Sequence, residues 1–181
     1  MTSVLQLRPF GRVDFDQLIG NGGSAEFLFQ WAGPLFTHPL DRAQLERYLL
    51  TGLGSPPSSL LYTAVDDAGT PVGHIELTRI DRRNRCATVA RVLVYADHRG
   101  RGVGREMLVQ ALRVGFEELR LHRVELLVFD FNRPAVRAYE HAGMKIEGLL
   151  RDVRKVGDGY WSVYQMSILE NEWQGRSNAN Q

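Results

Sequence analysis

The sequence predicts an α/β fold with a mixed sheet, and three observations carry the prediction. A glycine-rich turn, Arg99-Gly100-Arg101-Gly102-Val103-Gly104, separates an apolar strand from a helical stripe. A second apolar strand and a short helix follow it, which is the alternation of an α/β chain. Two long strands close the pattern, joined by Gly157-Asp158-Gly159, a strong hairpin turn.

Each element has its own local reason. Val4, Leu5 and Leu7 open the chain as a short strand. Asp14 is placed to cap a helix through Leu18 and Ile19, and Ser24 to cap one carrying Phe27, Leu28 and Trp31. Asp41 and Gln44 have the reciprocal spacing of a capping box, with Leu45, Tyr48 and Leu49 as the stripe behind it. Pro39 and Gly52 mark the ends of that helix. Leu60–Val65 and Val72–Ile80 read as strands about the turn Asp66-Asp67-Ala68-Gly69. Cys86–Tyr95 is a third strand. Its end, Val92-Leu93-Val94, is apolar on consecutive positions and so belongs in mid-sheet. Leu108, Ala111, Leu112, Phe116 and Leu119 recur at helical spacing. Arg123–Phe129 is a strand, and Pro134–His141 is a short helix with proline in its first turn and Gly143 at its end. Met144–Val156 and Tyr160–Leu169 form the hairpin. Residues 1–174 are expected as one domain, and Gly175–Gln181 as a polar tail.

Composition narrows the function. The chain has 181 residues, the length of a single domain with a sizeable core. Apolar residues at 44% and charged residues at 24% exclude disorder as the main state. Lys plus Arg is 22 and Asp plus Glu 21, a net charge of +1, so nucleic acid is not an expected partner. No run of about 18 apolar residues is present, so no membrane span is expected. Cys86 is the only cysteine, which excludes an internal disulfide and a cysteine zinc cluster, and no metal is implied. The start, Met1-Thr2-Ser3-Val4-Leu5-Gln6, lacks the basic opening and apolar stretch of a signal peptide, so a cytoplasmic location is expected.

The glycine turn presents backbone N–H groups at a helix N-terminus, which suits a phosphate, and Arg99, Arg101 and Arg105 surround it with positive charge. It is not a Walker A loop, because no Lys-Ser or Lys-Thr follows the last glycine. The dinucleotide fingerprint fails at its third glycine, which falls at 104 instead of 105. Asp130 stands where that reading wants an acid, so a nucleotide-binding oxidoreductase stays open. A tight loop without any ligand is the remaining reading.

These residues resemble the GNAT N-acetyltransferase superfamily. Arg99, Gly102 and Gly104 after Val92-Leu93-Val94 look like its acyl-CoA motif, Arg/Gln-x-x-Gly-x-Gly/Ala. Asn132, Ala135, Tyr139, Gly143 and Met144 look like a second block, with Met in place of the family's Phe. The ending Glu147-Gly148, Arg151, Met166-Ser167-Ile168-Leu169 and Glu172-Trp173 looks like the branch of ribosomal-protein N-terminal acetyltransferases. The resemblance runs from about residue 60 to 173. It implies a GNAT-like single domain whose mostly antiparallel central sheet is flanked by helices and splayed at the acyl-CoA site.

The resemblance also implies roles. Acetyl-CoA is the acyl donor, its pyrophosphate held by the amides of Arg99, Gly100, Arg101, Gly102, Val103, Gly104 and Arg105. Its pantetheine arm runs along Val92, Leu93 and Val94, with the amide of Leu93 or Val94 facing the thioester carbonyl. Asn132 hydrogen-bonds that arm beside Ala135, and a helix cap is its alternative use. Tyr139 protonates the departing thiolate. His74 and Glu76, two apart on one strand and so on one face, are candidate bases. Phe27, Trp31, Tyr160 and Trp161 are candidates for lining the acceptor site. The acceptor is an amine, a protein N-terminus first and a small amine second. No cluster of acidic residues points to a polycation. A non-catalytic acyl-CoA sensor is the other reading, and the oligomeric expectation is a monomer or homodimer.

Overall fold

The apolar strand β4 (Cys86–Val94) takes the middle position that its sequence predicts. The computed structural model describes residues 5–179, with side chains to residue 175, so Val4 and the last two residues lie outside the described residues. The other strands are β1 (Gln6–Pro9), β2 (Leu60–Val65), β3 (Pro71–Asp81), β5 (Arg123–Phe129), β6 (Lys145–Val156) and β7 (Gly159–Leu169). They form one sheet in the order β1-β2-β3-β4-β5-β7-β6. Every neighbouring pair is antiparallel except β4–β5. That parallel pair requires a crossover, supplied by α4 (Val103–Arg113) and a wider helical turn over Val114–Glu118.

Two helical layers cover the sheet. Helix α4, α5 (Arg133–His141) and α6 (Glu170–Ala179) lie with one core, built on Leu77, Val89, Leu108, Leu112, Val124 and Ile168. Helices α1 (Phe15–Gly20), α2 (Ala25–Ala32) and α3 (Arg42–Leu50) lie with a second core, built on Phe15, Leu18, Leu28, Leu45, Leu93 and Tyr95. Strand alternation divides the sheet between them. In β3, Ile75 and Leu77 join the first core, while His74 packs its ring on Phe10 of the second.

The β4–β5 ladder is short. It pairs Cys86 with Arg123, Ala87 with Val124 and Thr88 with Glu125, and ends there. Beyond it β5 stays paired with β7 as far as Phe129, and β4 stays paired with β3 as far as Val94. The sheet therefore opens into a V at the carboxyl ends of its two central strands. A bulge accompanies the opening: between the pairs Glu76–Ala90 and His74–Leu93, β4 has two residues, Arg91 and Val92, where β3 has one, Ile75.

Some local expectations change. Ser24 does cap α2, accepting from Phe27 N at 3.2 Å. Asp14 stands at the start of α1 but does not cap it; its carboxylate takes Arg8 at 2.6 Å and the Gly11 amide at 2.9 Å. Asp41 caps α3 through Gln44 N at 2.8 Å, yet the box is not reciprocal. Gln44 turns back to the preceding loop, accepting from Thr37 N and donating to the carbonyls of Thr37 and Pro39. The polar stretch from Gly175 is not a tail down to Ala179, because it continues α6. The helix is anchored by Trp173, which stacks on Phe116.

Gly73 sets how closely α4 approaches β3. A Cβ there would lie 2.6 Å from Leu93 O and 2.7 Å from Met107 Sδ. Gly73→Ala is expected to cost about 1–3 kcal/mol in urea unfolding by overpacking, whereas Gly69→Ser, in the open turn after β2, leaves the core contacts in place.

Candidate active site

The V encloses a cavity of about 950 Å³. Its β4 wall includes Val92, Leu93 and Val94, and its far wall includes Leu127 and Phe129 of β5. Helix α2 bridges the opening: Leu28 shares a core with Leu93, while Phe29 packs on Phe129 at 6.3 Å and Trp161 at 5.9 Å.

The glycine loop forms one rim. Gly100 has φ +74 and Gly102 φ +80, conformations that L side chains rarely adopt, and a Cβ on either would meet nothing within 4 Å. The space above them is open to a ligand. Gly104 serves a different end, since a Cβ there would sit 3.3 Å from Val94 Cγ2, a tight contact where α4 packs on β4. Arg99 donates to the Val94 carbonyl at 3.0 Å and stacks over the Phe27 ring at 4.9 Å. Gly100, Gly102, Val103, Gly104, Arg99 and Arg105 all line the cavity; Arg101 is exposed beside it and does not.

Helix α5 supplies the opposite rim. Asn132 lines the cavity and also caps α5, its side-chain oxygen accepting from Ala135 N at 3.4 Å. Its amide nitrogen is left for other partners. Tyr139 is buried to 7% exposure and reaches the cavity wall, and its hydroxyl makes no hydrogen bond among the described residues. Burial pushes the phenol above its usual value, so it holds its proton at neutral pH.

Phe27 and Trp31 line the cavity. Trp161 does not: it is spent on the aromatic cluster with Phe29, Phe129 and Phe131, and Tyr160 is exposed.

His74 and Glu76 share a face as predicted, but it is a closed one and neither lines the cavity. The Tyr48 hydroxyl donates to Glu76 Oε2 at 2.8 Å and lies 2.9 Å from His74 Nε2. Its single hydrogen being used on Glu76, the imidazole donates from Nε2 to the Tyr48 oxygen, leaving Nδ1 without a partner. Arg91 Nη1 completes the cluster, donating to Glu76 Oε2 at 2.6 Å. Burial first, and then the Arg91 charge, depress the His74 pKa to about 3, with Asp14 opposing weakly. A histidine held neutral in this way accepts no proton near neutral pH.

Sequence reasoning missed Arg91. It stands in the β4 bulge at φ +52, pairs with Glu76 and also lines the cavity. The available signal was a lone charge inside the apolar run Val89-Ala90-Arg91-Val92.

The profile of the acetyltransferase (GNAT) family matches residues 25–144. The chain belongs to the GNAT acetyltransferase family. The GNAT relatives include an uncharacterized N-acetyltransferase from the SPbeta prophage of Bacillus subtilis, 32% identical over 62% of this chain and 63% of its own length. Spermidine N(1)-acetyltransferase of Vibrio cholerae is 32% identical over 59% and 61%. L-amino acid N-acetyltransferase of Escherichia coli is 30% identical over 74% and 79%. The chain thus spans about three fifths of the first two relatives. A crystal structure of the Vibrio cholerae spermidine enzyme in complex with CoA and spermine superposes with a TM-score of 0.82, covering 94% of this chain and 98% of that one at 25% identity. These relatives draw the resemblance away from the ribosomal-protein branch and toward enzymes named for small amines.

Linkage sets a pH test of the closed cluster. His74 binds a proton in the unfolded chain below about 6.5 but not in the folded one until about 3. Stability is therefore expected to fall as pH drops through that window, by a few kcal/mol in all, roughly 1.4 per pH unit per proton. Urea unfolding at pH 7, 5.5 and 4.5 checks this, with His74→Gln showing a shallower fall over the same range.

Proposed function

We propose that the protein transfers the acetyl group of acetyl-CoA to the nitrogen of a small primary amine, by direct attack while both are bound. The observation that carries the reading is the unpaired inner edge of β4, lying between the N-terminus of α4 and the free hydroxyl of Tyr139. The residues present fit the donor. Amides at the start of α4 and the open glycines suit its pyrophosphate, Arg99 and Arg105 add charge, and the nitrogen of Asn132 is free for the pantetheine arm. When bound, acetyl-CoA supplies a thioester carbonyl open to attack by nitrogen.

The chain's own groups then divide the work. Tyr95 N donates to Val72 O, toward β3, so the Val94 N–H one residue back faces the V. Of the two amides expected for the oxyanion, this geometry favours Val94. Tyr139 gives its proton to the sulfur as the C–S bond breaks. A phenol near 10 is a weaker acid than a thiol near 8.5, and burial raises the phenol further. The same apolar surroundings raise the thiol formed beside it, which lessens the mismatch.

The amine must also lose a proton. His74 and Glu76 are closed off, and no aspartate or glutamate lines the cavity among the described residues; His98 and His141 do line it, at the glycine-loop and α5 rims where the donor is placed, and the acceptor's proton is assigned to water. That route suits an amine with a substantial neutral fraction. An α-amine near 7.7–8.0 is about one tenth neutral at pH 7, and a lysine-type amine near 10.4 less than about a thousandth. The relatives named for spermidine and for amino acids support a small amine above a protein N-terminus.

Free-thiol release from acetyl-CoA against a panel of peptides and small amines tests the reading. Turnover is expected with one class of small amine, and Tyr139→Phe is expected to lower kcat by about a hundredfold with acetyl-CoA affinity retained. Binding of acetyl-CoA without turnover on any amine contradicts catalysis, and full activity in Tyr139→Phe contradicts the role of the phenol.

A further inference from the structure

Six arginines line the cavity, Arg79, Arg91, Arg99, Arg105, Arg137 and Arg154, and among the described residues no aspartate or glutamate does. Three of the six are aimed by β-bulges. Strand β3 carries an extra residue against β4 between Thr78 and Asp81, and Arg79 there has φ +51. The β4 bulge holds Arg91 at φ +52. Strand β6 carries two extra residues against β7 between Leu150 and Arg154, with Asp152 at φ +52. Left-handed backbone at a residue with a side chain costs roughly 1–2 kcal/mol. Bulges of this kind re-aim side chains beside functional sites.

Two of these three guanidiniums have polar partners. Arg91 is held by Glu76 at 2.6 Å. Arg79 donates to Thr88 Oγ1 at 3.1 Å and lies 3.6 Å from Glu125. Arg154 differs. It is half-buried, its one hydrogen bond goes to the carbonyl of the adjacent Val153, and no carboxylate lies within salt-bridge distance among the described residues. Its side of the sheet follows from register. Arg154 pairs with Trp161, so the two share a face, and Trp161 packs on Phe29 of α2. Arg154 is therefore on the α2 side, whereas the glycine loop leads into α4 on the other side.

We infer that Arg154 binds an anionic group, a carboxylate or a phosphate, carried by the amine acceptor itself. The inference rests on the acetyl-transfer reading and names its substrate class: a small zwitterion with a free amine and a compact anion, not a polyamine. A guanidinium in a cavity wall with no carboxylate partner keeps its planar fork available to an anion, which accepts from it in charge-assisted hydrogen bonds. A polycation entering the same space meets Arg154 and finds no carboxylate on the wall to receive its second ammonium.

Acceptors that differ only in the anion test this. Amino acids, their carboxamides, aminoalkyl phosphates and spermidine are compared by kcat/KM for thiol release, at equal concentrations of neutral amine. An anionic acceptor is expected to exceed its neutral counterpart by about tenfold or more, with the carboxylate and phosphate arms showing which anion is used. Arg154→Ala is expected to collapse that ratio, and Arg154→Lys to restore part of it. Acetyl-CoA binding by calorimetry checks that each variant is folded. Turnover that favours spermidine, or an anion preference unchanged in Arg154→Ala, overturns the inference and leaves acetyl transfer standing. Acetyl-CoA binding without turnover on any acceptor overturns both.

Discussion

The end of β4–β5 pairing at Thr88 and Glu125 is the constraint on which the site depends. A fully paired central ladder would satisfy its own amides and leave no room between the strands. Because β4 bends away, its inner edge from Val89 onward keeps backbone groups that a sheet ordinarily uses up. The bend is fixed from the α3 side. Arg91 holds the bulge by its bond to Glu76, Glu76 also accepts from Tyr48, and Tyr48 is locked by α3 and His74. Charges this deeply placed are kept by being paired, and losing one partner would strand the other. The cluster read from the sequence as a source of bases is thus better understood as the brace that holds the strands apart.

The two faces of the V differ in chemistry. The α4 side has a helix N-terminus, open glycines and surrounding arginines, an arrangement suited to phosphates. The α2 side has Phe27, Trp31 and Gln30 beside Arg79, Arg91 and Arg154, a mixed apolar and cationic surface. In the proposed reaction, donor and acceptor enter from opposite sides and meet at the β4 edge. Helix α2 touches both arms of the V, through Leu28 on β4 and Phe29 on β5 and β7, so its position also sets the width of the acceptor side.

Much of this was legible in the sequence, and the gaps have physical causes. Val92-Leu93-Val94 is apolar on successive positions because β4 has a core on each face, and this placed it in mid-sheet correctly. The glycine loop was legible because positive φ leaves glycine as the natural residue at 100 and 102. The bulges were not, since an extra residue in a strand changes pairing without changing local composition. The one-residue bulges in β3 and β4 break the alternation at Arg79 and Arg91, and the two-residue insertion in β6 moves Arg154 along its strand without inverting it, which is why these three arginines went unremarked. His74 and Glu76 were assigned a common face correctly, but which layer covers that face depends on α3, nearly thirty residues earlier in the chain. Gln44 fitted a capping spacing and was drawn instead to the loop carbonyls at Thr37 and Pro39. The residues of the ending that suggested one branch of the family, Glu147-Gly148, Arg151, Met166-Ser167-Ile168-Leu169 and Glu172-Trp173, do not line the cavity.

Hydrogen exchange at the backbone of β4 tests most directly whether the split ladder is the donor's docking edge. The amide of Val94, facing the V, is expected to exchange faster in the free protein than that of Tyr95, which is bonded to Val72. Addition of CoA is expected to slow Val94 selectively, together with the amides of the glycine loop. Slow exchange at Val94 before any ligand is added, or no change on adding CoA at saturating concentration, would contradict it.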